Sequence, residues 1–172
     1  MAKSSLNEGA QGDARAEQKK QASVSALRML AATPKSRKEL NAKLADKGYP
    51  ADVINETLDK LESQGLLNDR AYAQNLASRY VHGKPSGKRR IAFEMKRRGV
   101  PPAIQQEVLG QMDPEAERER GREIAAGRWA SWARLEPLKR RKKIFDFLIR
   151  RGFDFDLVRD LVEELENSEA PE

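Results

Sequence analysis

Two runs of cations at helical spacing are the side chains of this sequence best placed to do chemistry with a partner. Lys88, Arg89, Arg90, Lys96 and Arg97 make the first, with Lys84 in the turn before it; Lys139, Lys142, Lys143 and Arg150 make the second. Ammonium and guanidinium groups hold phosphate or carboxylate oxygens; they do not by themselves transfer a group. At about 100° per residue, Ile91 and Met95 set the inward direction of the first run, so Arg89, Arg90, Phe93, Lys96 and Arg97 fall on the opposite arc. In the second run Ile144 and Leu148 face inward and Phe145 and Phe147 flank them. Lys139, Lys142, Lys143 and Arg150 then point outward, with Asp146 among them. One charge run is usually just a solvated face; two homologous ones carry more weight. Phe93 could instead pack on a neighbouring helix, and Trp129 and Trp132 suit core or inter-unit packing better than a stacking platform.

Covalent chemistry has no comparable support. Asp52, Glu56 and Asp59 lie along one helix, but nothing pairs them with a nucleophile or a metal cluster. His82 is the single histidine and there is no cysteine, so metal-ligand spacing, disulfides and thiolate chemistry are all missing. No glycine-rich loop cradles a phosphate. The chain is expected to be a non-enzyme without metal or cofactor.

The elements that position the cations repeat. Gly48, Gly99 and Gly152 are 51 and then 53 residues apart, and their surroundings match in register. Leu44, Met95 and Leu148 stand four before each glycine, and Leu40, Ile91 and Ile144 eight before. A basic residue precedes each (Lys47, Arg98, Arg151) and an apolar one follows (Tyr49, Val100, Phe153). Val53, Ile104 and Leu157 come five after, and Leu58, Leu109 and Val162 ten after. Residues at minus eight and minus four share one helical face, and glycine ends that helix by taking the left-handed cap conformation. The basic residue before it complements the helix dipole. Pro50 and Pro101 suit the start of a second helix. Each glycine thus marks a helix-turn-helix joint, and a period of this length predicts an elongated array of supersecondary units.

A further helix completes each unit. Residues 1–20 are poor in large apolar side chains and read as a disordered arm. Val24, Leu27 and Leu30 carry a stripe ending near Pro34, and Ser36 with Glu39 forms a capping box for the helix of Leu40 and Leu44. Asn68 or Asp69 caps a helix through Tyr72, Leu76 and Val81, and Asp113-Pro114-Glu115 opens another that runs to Trp129 or Trp132. The expectation is an all-α chain: repeat 1 over 21–67, repeat 2 over 68–112, repeat 3 over 113–166, and an acidic tail over 167–172.

Charge is unevenly placed along these units. Residues 1–67 net +2; residues 68–152 hold twenty-one basic and ten acidic side chains, netting +11; residues 153–172 net −7. The middle field attracts nucleic-acid phosphate or an acidic protein groove. The acidic end repels the same partner or screens the basic surface from within. Glu163, Glu164, Glu166, Glu169 and Glu172 are expected to stay solvated while the apolar stripe through Leu165 closes the third unit. No apolar run approaches the roughly 18 residues of a membrane span, and the default location is the cytoplasm.

Several stretches resemble the RecX family of recombination regulators. Gly65-Leu66-Leu67-Asn68-Asp69-Arg70-Ala71-Tyr72-Ala73 is similar to that family's GLLDDxxFA signature. Gly87-Lys88-Arg89-Arg90-Ile91 resembles its basic turn, and Glu94-Met95-Lys96-Arg97-Arg98-Gly99 its ELxxKG segment. Ser36-Arg37-Lys38-Glu39-Leu40 and Phe147-Leu148-Ile149-Arg150-Arg151-Gly152-Phe153 match as well, so the likeness covers roughly residues 22–165. Asn68 replaces the usual first aspartate, Pro85 and Ser86 stand where Gly-Tyr is common, and Phe93 takes a position usually polar. The resemblance implies three tandem three-helix units in a curved rod that lies in the groove of the RecA–DNA filament and inhibits RecA ATPase and strand exchange. Its binding surface would be Lys84, Lys88, Arg89, Arg90, Phe93, Lys96, Arg97, Lys139, Lys142, Lys143 and Arg150. The partners would be the RecA filament and DNA, with weak and salt-sensitive DNA contact, no membrane, and a monomeric chain. The rival expectation is a stand-alone basic protein that coats DNA.

Overall fold

The computed structural model describes the backbone of residues 3–168 and the side chains of residues 13–168. Among the described residues the fold is all-α. Its helices are α1 (Lys3–Ala32), α2 (Arg37–Ala45), α3 (Ala51–Ser63), α4 (Asp69–Ser78), α5 (Lys88–Arg97), α6 (Pro102–Gly110), α7 (Pro114–Ser131), α8 (Pro137–Arg150) and α9 (Phe155–Asn167). A π-helical turn, Arg79–Gly83, follows α4. The helices form three triplets, and each joint glycine has positive φ: 84° at Gly48, 73° at Gly99 and 81° at Gly152. The amides of Tyr49 and Phe153 donate back to the carbonyls of Leu44 and Leu148, both at 3.3 Å, which is the capping pattern a left-handed glycine permits.

The disordered arm expected over 1–20 is instead, from Lys3 onward, the first part of α1. Local composition argued against order there, but the helix is tied from across the chain. Arg15 pairs with Asp52 at 2.6 Å and Glu56 at 2.7 Å, and Lys19 also pairs with Glu56, both acids lying on α3. Of the acidic tail expected over 167–172, Asn167 closes α9, and residues 169–172 lie outside the described residues.

Packing divides the chain into two compact units. The first takes the residues up to Tyr72 together with Arg98–Val100; the second takes Ala73–Arg97 and the residues from Pro101 onward. The first is centred on Ala26, Leu40, Leu44, Ile54, Leu58, Leu61 and Leu67. Its α2 opens with the capping box: Glu39 donates its amide to Ser36 Oγ, and the Ser36 amide donates to Glu39 Oε2, both at 3.1 Å. Asn68, not Asp69, caps α4, accepting the Ala71 amide at 2.9 Å.

The second unit has a core of Ala125, Trp129, Ile144, Leu148, Phe153, Val158, Leu161 and Val162, drawn from α7, α8 and α9. Ile91 and Met95 on α5 and Val108 on α6 are buried as well. Gly121 admits α9: a Cβ there would lie 2.8 Å from Leu161 Cδ1. Trp129 is therefore core, and Trp132 packs edge-on against Phe147 with centroids 6.1 Å apart.

Candidate functional site

The outward arc of α5 is exposed as the helical wheel requires: Arg89, Arg90, Phe93, Lys96 and Arg97 all face solvent, and Phe93 is 56% exposed beneath the Arg90 guanidinium. The arc is not uniform in charge. Glu94 lies on the inward side with only 1% exposure, and its carboxylate is gripped by Arg90 at 2.8 Å and Arg97 at 2.7 Å. Arg90 and Arg97 therefore neutralise a buried acid. Lys84, Arg89 and Lys96 make no ion pair among the described residues and are the cations of this helix and turn open to a partner. Lys88 is half-buried at the helix start.

On α8 the outward residues are likewise exposed: Lys139, Lys142, Lys143 and Arg150. The Lys143 ammonium lies over the Trp132 ring, 4.6 Å from its centroid, a cation–π contact made at the surface. Arg140, in the same run, does the opposite. It is 7% exposed, stacks 3.8 Å from the Trp129 centroid, and donates to the Trp129 carbonyl at 2.7 and 3.1 Å. One guanidinium of the basic run is thus a strut that helps close the end of α7.

The acidic last helix pairs with some of the cations of α7 and α8. Glu164 on α9 binds Arg118 and Arg122 of α7, and Arg141 binds Glu166 at 2.6 Å. Burial pushes the Glu164 carboxyl up, but the two guanidiniums more than offset it and hold it below the ordinary glutamate range. Glu164 and Glu166 thus keep the contact with solvent that was expected, but each is also tied to arginines of its own unit. The acidic end screens part of α7 and one side of α8, while Lys84, Arg89 and Lys96 beside α5 and Lys139, Lys142 and Arg150 on α8 make no ion pair among the described residues.

The start of α5 abuts the turn after α8. Gly87 donates its amide to the Arg151 carbonyl at 3.0 Å, and Arg89 donates its own to the Gly152 carbonyl at 3.1 Å. Lys84, Lys88, Arg89 and Arg150 are thereby gathered around one joint. Lys96 and Arg97 lie about 13 Å along α5, and Lys139, Lys142 and Lys143 up to about 16 Å back along α8, at 1.5 Å per residue. The arrangement is a spread of cations along two helices that meet at a point, suited to an extended polyanion.

Sequence reasoning missed the carboxylates that hold these joints. Glu117 on α7 accepts the Lys88 amide at 2.7 Å. In the first unit Asp69 accepts the Arg37 amide at 2.8 Å, at the corresponding start of α2, and burial raises its pKa against the opposing pull of that bond. Beside Asp69, the Tyr72 hydroxyl donates to Glu39 Oε2 at 3.0 Å and accepts from Arg98 at 3.1 Å, while burial raises the phenol's pKa. The signature residues Asp69, Tyr72 and Ala73 are thus buried joint residues, and none is presented to solvent.

Among the described residues no group of three or more His, Asp or Glu side chains could hold a metal ion, and no helix is long and apolar enough to cross a membrane. Family models for the first, second and third RecX three-helix domains match residues 22–61, 68–109 and 115–162. A protein of Chlorobium limicola named Regulatory protein RecX is 33% identical over 151 residues, covering 86% of this chain and 91% of its own. A protein of the same name from Streptomyces coelicolor is 31% identical over 148 residues, covering 84% and 79%. The crystal structure of RecX from Lactobacillus salivarius shares the fold at 23% identity, with a TM-score of 0.80 over 88% of this chain and 99% of that one. With three consecutive domain matches and relatives above 30% identity across most of its length, the chain belongs to the RecX family.

Proposed function

We propose that the chain binds the RecA–DNA filament and lowers RecA's ATPase and strand-exchange activities. The observation that carries this reading is the set of cations on the outer faces of α5 and α8 that make no ion pair among the described residues, in a RecX-family chain where Arg118 and Arg122 of α7 are instead paired with Glu164 of α9. An extended field of this kind suits a nucleoprotein surface, where phosphates and acidic side chains recur along a groove. Binding would act by mass action, shifting filament subunits away from the active assembly. Many moderate contacts give an affinity that falls steeply with salt. The site would act from the cytoplasm, as a monomer, without metal or cofactor.

The test is the DNA-dependent ATPase of RecA titrated with the pure chain. Inhibition at ratios well below one chain per RecA supports a filament regulator. Inhibition that appears only once the DNA is saturated belongs to a coating protein, and no inhibition at excess rejects both.

A further inference from the structure

The two joints between repeats share one plan and differ in charge. In the first, Glu39, Tyr72 and Arg98 close on one another: acid, phenol and a single guanidinium, mutually satisfied. The chain's own register carries these positions to the second joint. Helix α2 aligns on α5 through Gly48 and Gly99, and α4 aligns on α7 through Ala73 and Gly121, Leu76 and Ile124, Ala77 and Ala125. The equivalents of Glu39, Tyr72 and Arg98 are then Arg90, Arg120 and Arg151. Three guanidiniums stand where one stood.

Independent contacts place Arg90 and Arg151 at the joint and bring to it the turn of α7 that precedes Arg120. Gly152 packs on the Arg90 backbone, the Arg151 carbonyl accepts the Gly87 amide, and Glu117, one helical turn before Arg120, accepts the Lys88 amide. Their partners differ. Arg90 is neutralised by Glu94, and Arg151 lies over the Phe147 ring at 5.2 Å and reaches the Pro85 carbonyl at 3.3 Å. Arg120 has neither: the residue is partly exposed, yet its Nε and Nη2 are covered and without a hydrogen-bond partner among the described residues. Guanidinium N–H groups partly withdrawn from water are costly unless an oxygen acceptor meets them. The first-turn amides of α5 are already spent on Arg151, Glu117 and Gly152, so any anion here is held by side chains and not by the helix end.

We infer that the joint of Gly87 and Gly152 is a phosphate-binding site in which Arg120 and Arg151 hold the backbone of a nucleic-acid strand. A phosphate offers oxygens in several directions to guanidiniums from different helices, where a carboxylate offers one plane. Exposed Lys84 and Arg89 flank the joint and extend the track to neighbouring phosphates. The nucleic-acid source rests on the reading proposed above, but the binding itself needs no RecA.

The test therefore omits RecA. Fluorescence anisotropy of a labelled single-stranded oligonucleotide is measured across a salt series with the full chain, with Arg120→Gln, and with Arg141→Gln, whose arginine is bound to Glu166. Arg120→Gln should bind about tenfold more weakly. Its log–log salt slope should be shallower by about 0.7, because one phosphate fewer is neutralised, and Arg141→Gln should match the unchanged chain. In parallel, inorganic pyrophosphate should raise the Tm of the unchanged chain more than chloride of equal ionic strength, and should not do so for Arg120→Gln. The proposal is overturned if pyrophosphate gives the unchanged chain no such gain, or if a folded Arg120→Gln keeps its affinity and salt slope. Loss of RecA inhibition with DNA affinity intact also overturns it, because the joint would then meet an acidic protein surface.

Discussion

Gly152 sits against Arg90 so closely that a Cβ built on the glycine would overlap the arginine's backbone nitrogen and Cβ. The joint glycine therefore answers two demands at once: a φ of 81° and backbone contact with the preceding repeat. Gly48 answers only the first, having a φ of 84° and nothing within 4 Å of a Cβ. Gly48→Ala should cost about 1 kcal/mol for the left-handed backbone. Gly152→Ala should cost at least twice that, because backbone cannot swing aside as a side-chain tip can. Chemical denaturation of the two variants checks the order; equal losses would mean that the close approach carries no energy.

Glu94 makes Arg90 and Arg97 poor choices for probing the surface by charge reversal. Turning both to Glu replaces the two guanidiniums that hold a 1% exposed carboxylate with two new acids. Removing the partners of a buried charge typically costs about 3–5 kcal/mol. The double reversal should melt well below the unchanged chain, and adding Glu94→Leu should recover much of the loss. A double reversal with an unchanged Tm would show that these two ion pairs add no net stability.

The ties between α7 and α9 should fail in acid. Burial acts to raise the Glu164 pKa, but Arg118 and Arg122 outweigh it, so the folded-state value is below the unfolded one. The stabilisation from this group is then present above the unfolded pKa and is lost as pH falls through the folded value. Comparing the Tm of the unchanged chain with that of Glu164→Gln should give a gap at neutral pH that closes below about pH 4. A gap that persists at pH 2 would assign the effect to packing and not to charge.

A chain ended at Gly152 loses the helix that supplies Val158, Leu161 and Val162 to the core around Ile144 and Leu148. At about 1.5–3 kcal/mol per buried aliphatic side chain, the loss is of the order of a domain's whole stability. Size-exclusion chromatography should find it aggregated. A monodisperse helical product would mean that α7 and α8 close without α9.

The joint glycines were legible because a left-handed turn admits few other residues, and the stripes of Leu40, Ile91 and Ile144 because burial follows the helical period. The exposed faces of α5 and α8 follow from those stripes by geometry alone. What escaped is long-range. The burial of Glu94 and Arg140 depends on which helices cover them, and Asp69 and Glu117 hold amides that lie 32 and 29 residues away. The order of residues 13–20 was hidden for the same reason, since the partners of Arg15 and Lys19 lie on α3 and no local pattern names them.

The most direct test of a filament-binding cation face uses Lys84→Glu, Arg89→Glu and Lys96→Glu together, the residues of that face without internal ion pairs. DNA-dependent RecA ATPase would be measured against the unchanged chain and this triple variant, with circular dichroism melts confirming that both are folded. The unchanged chain should inhibit at substoichiometric ratios, and the triple variant should lose at least tenfold in potency with its Tm nearly unchanged. A folded triple variant that inhibits as well as the unchanged chain would contradict the assignment of this face to the filament.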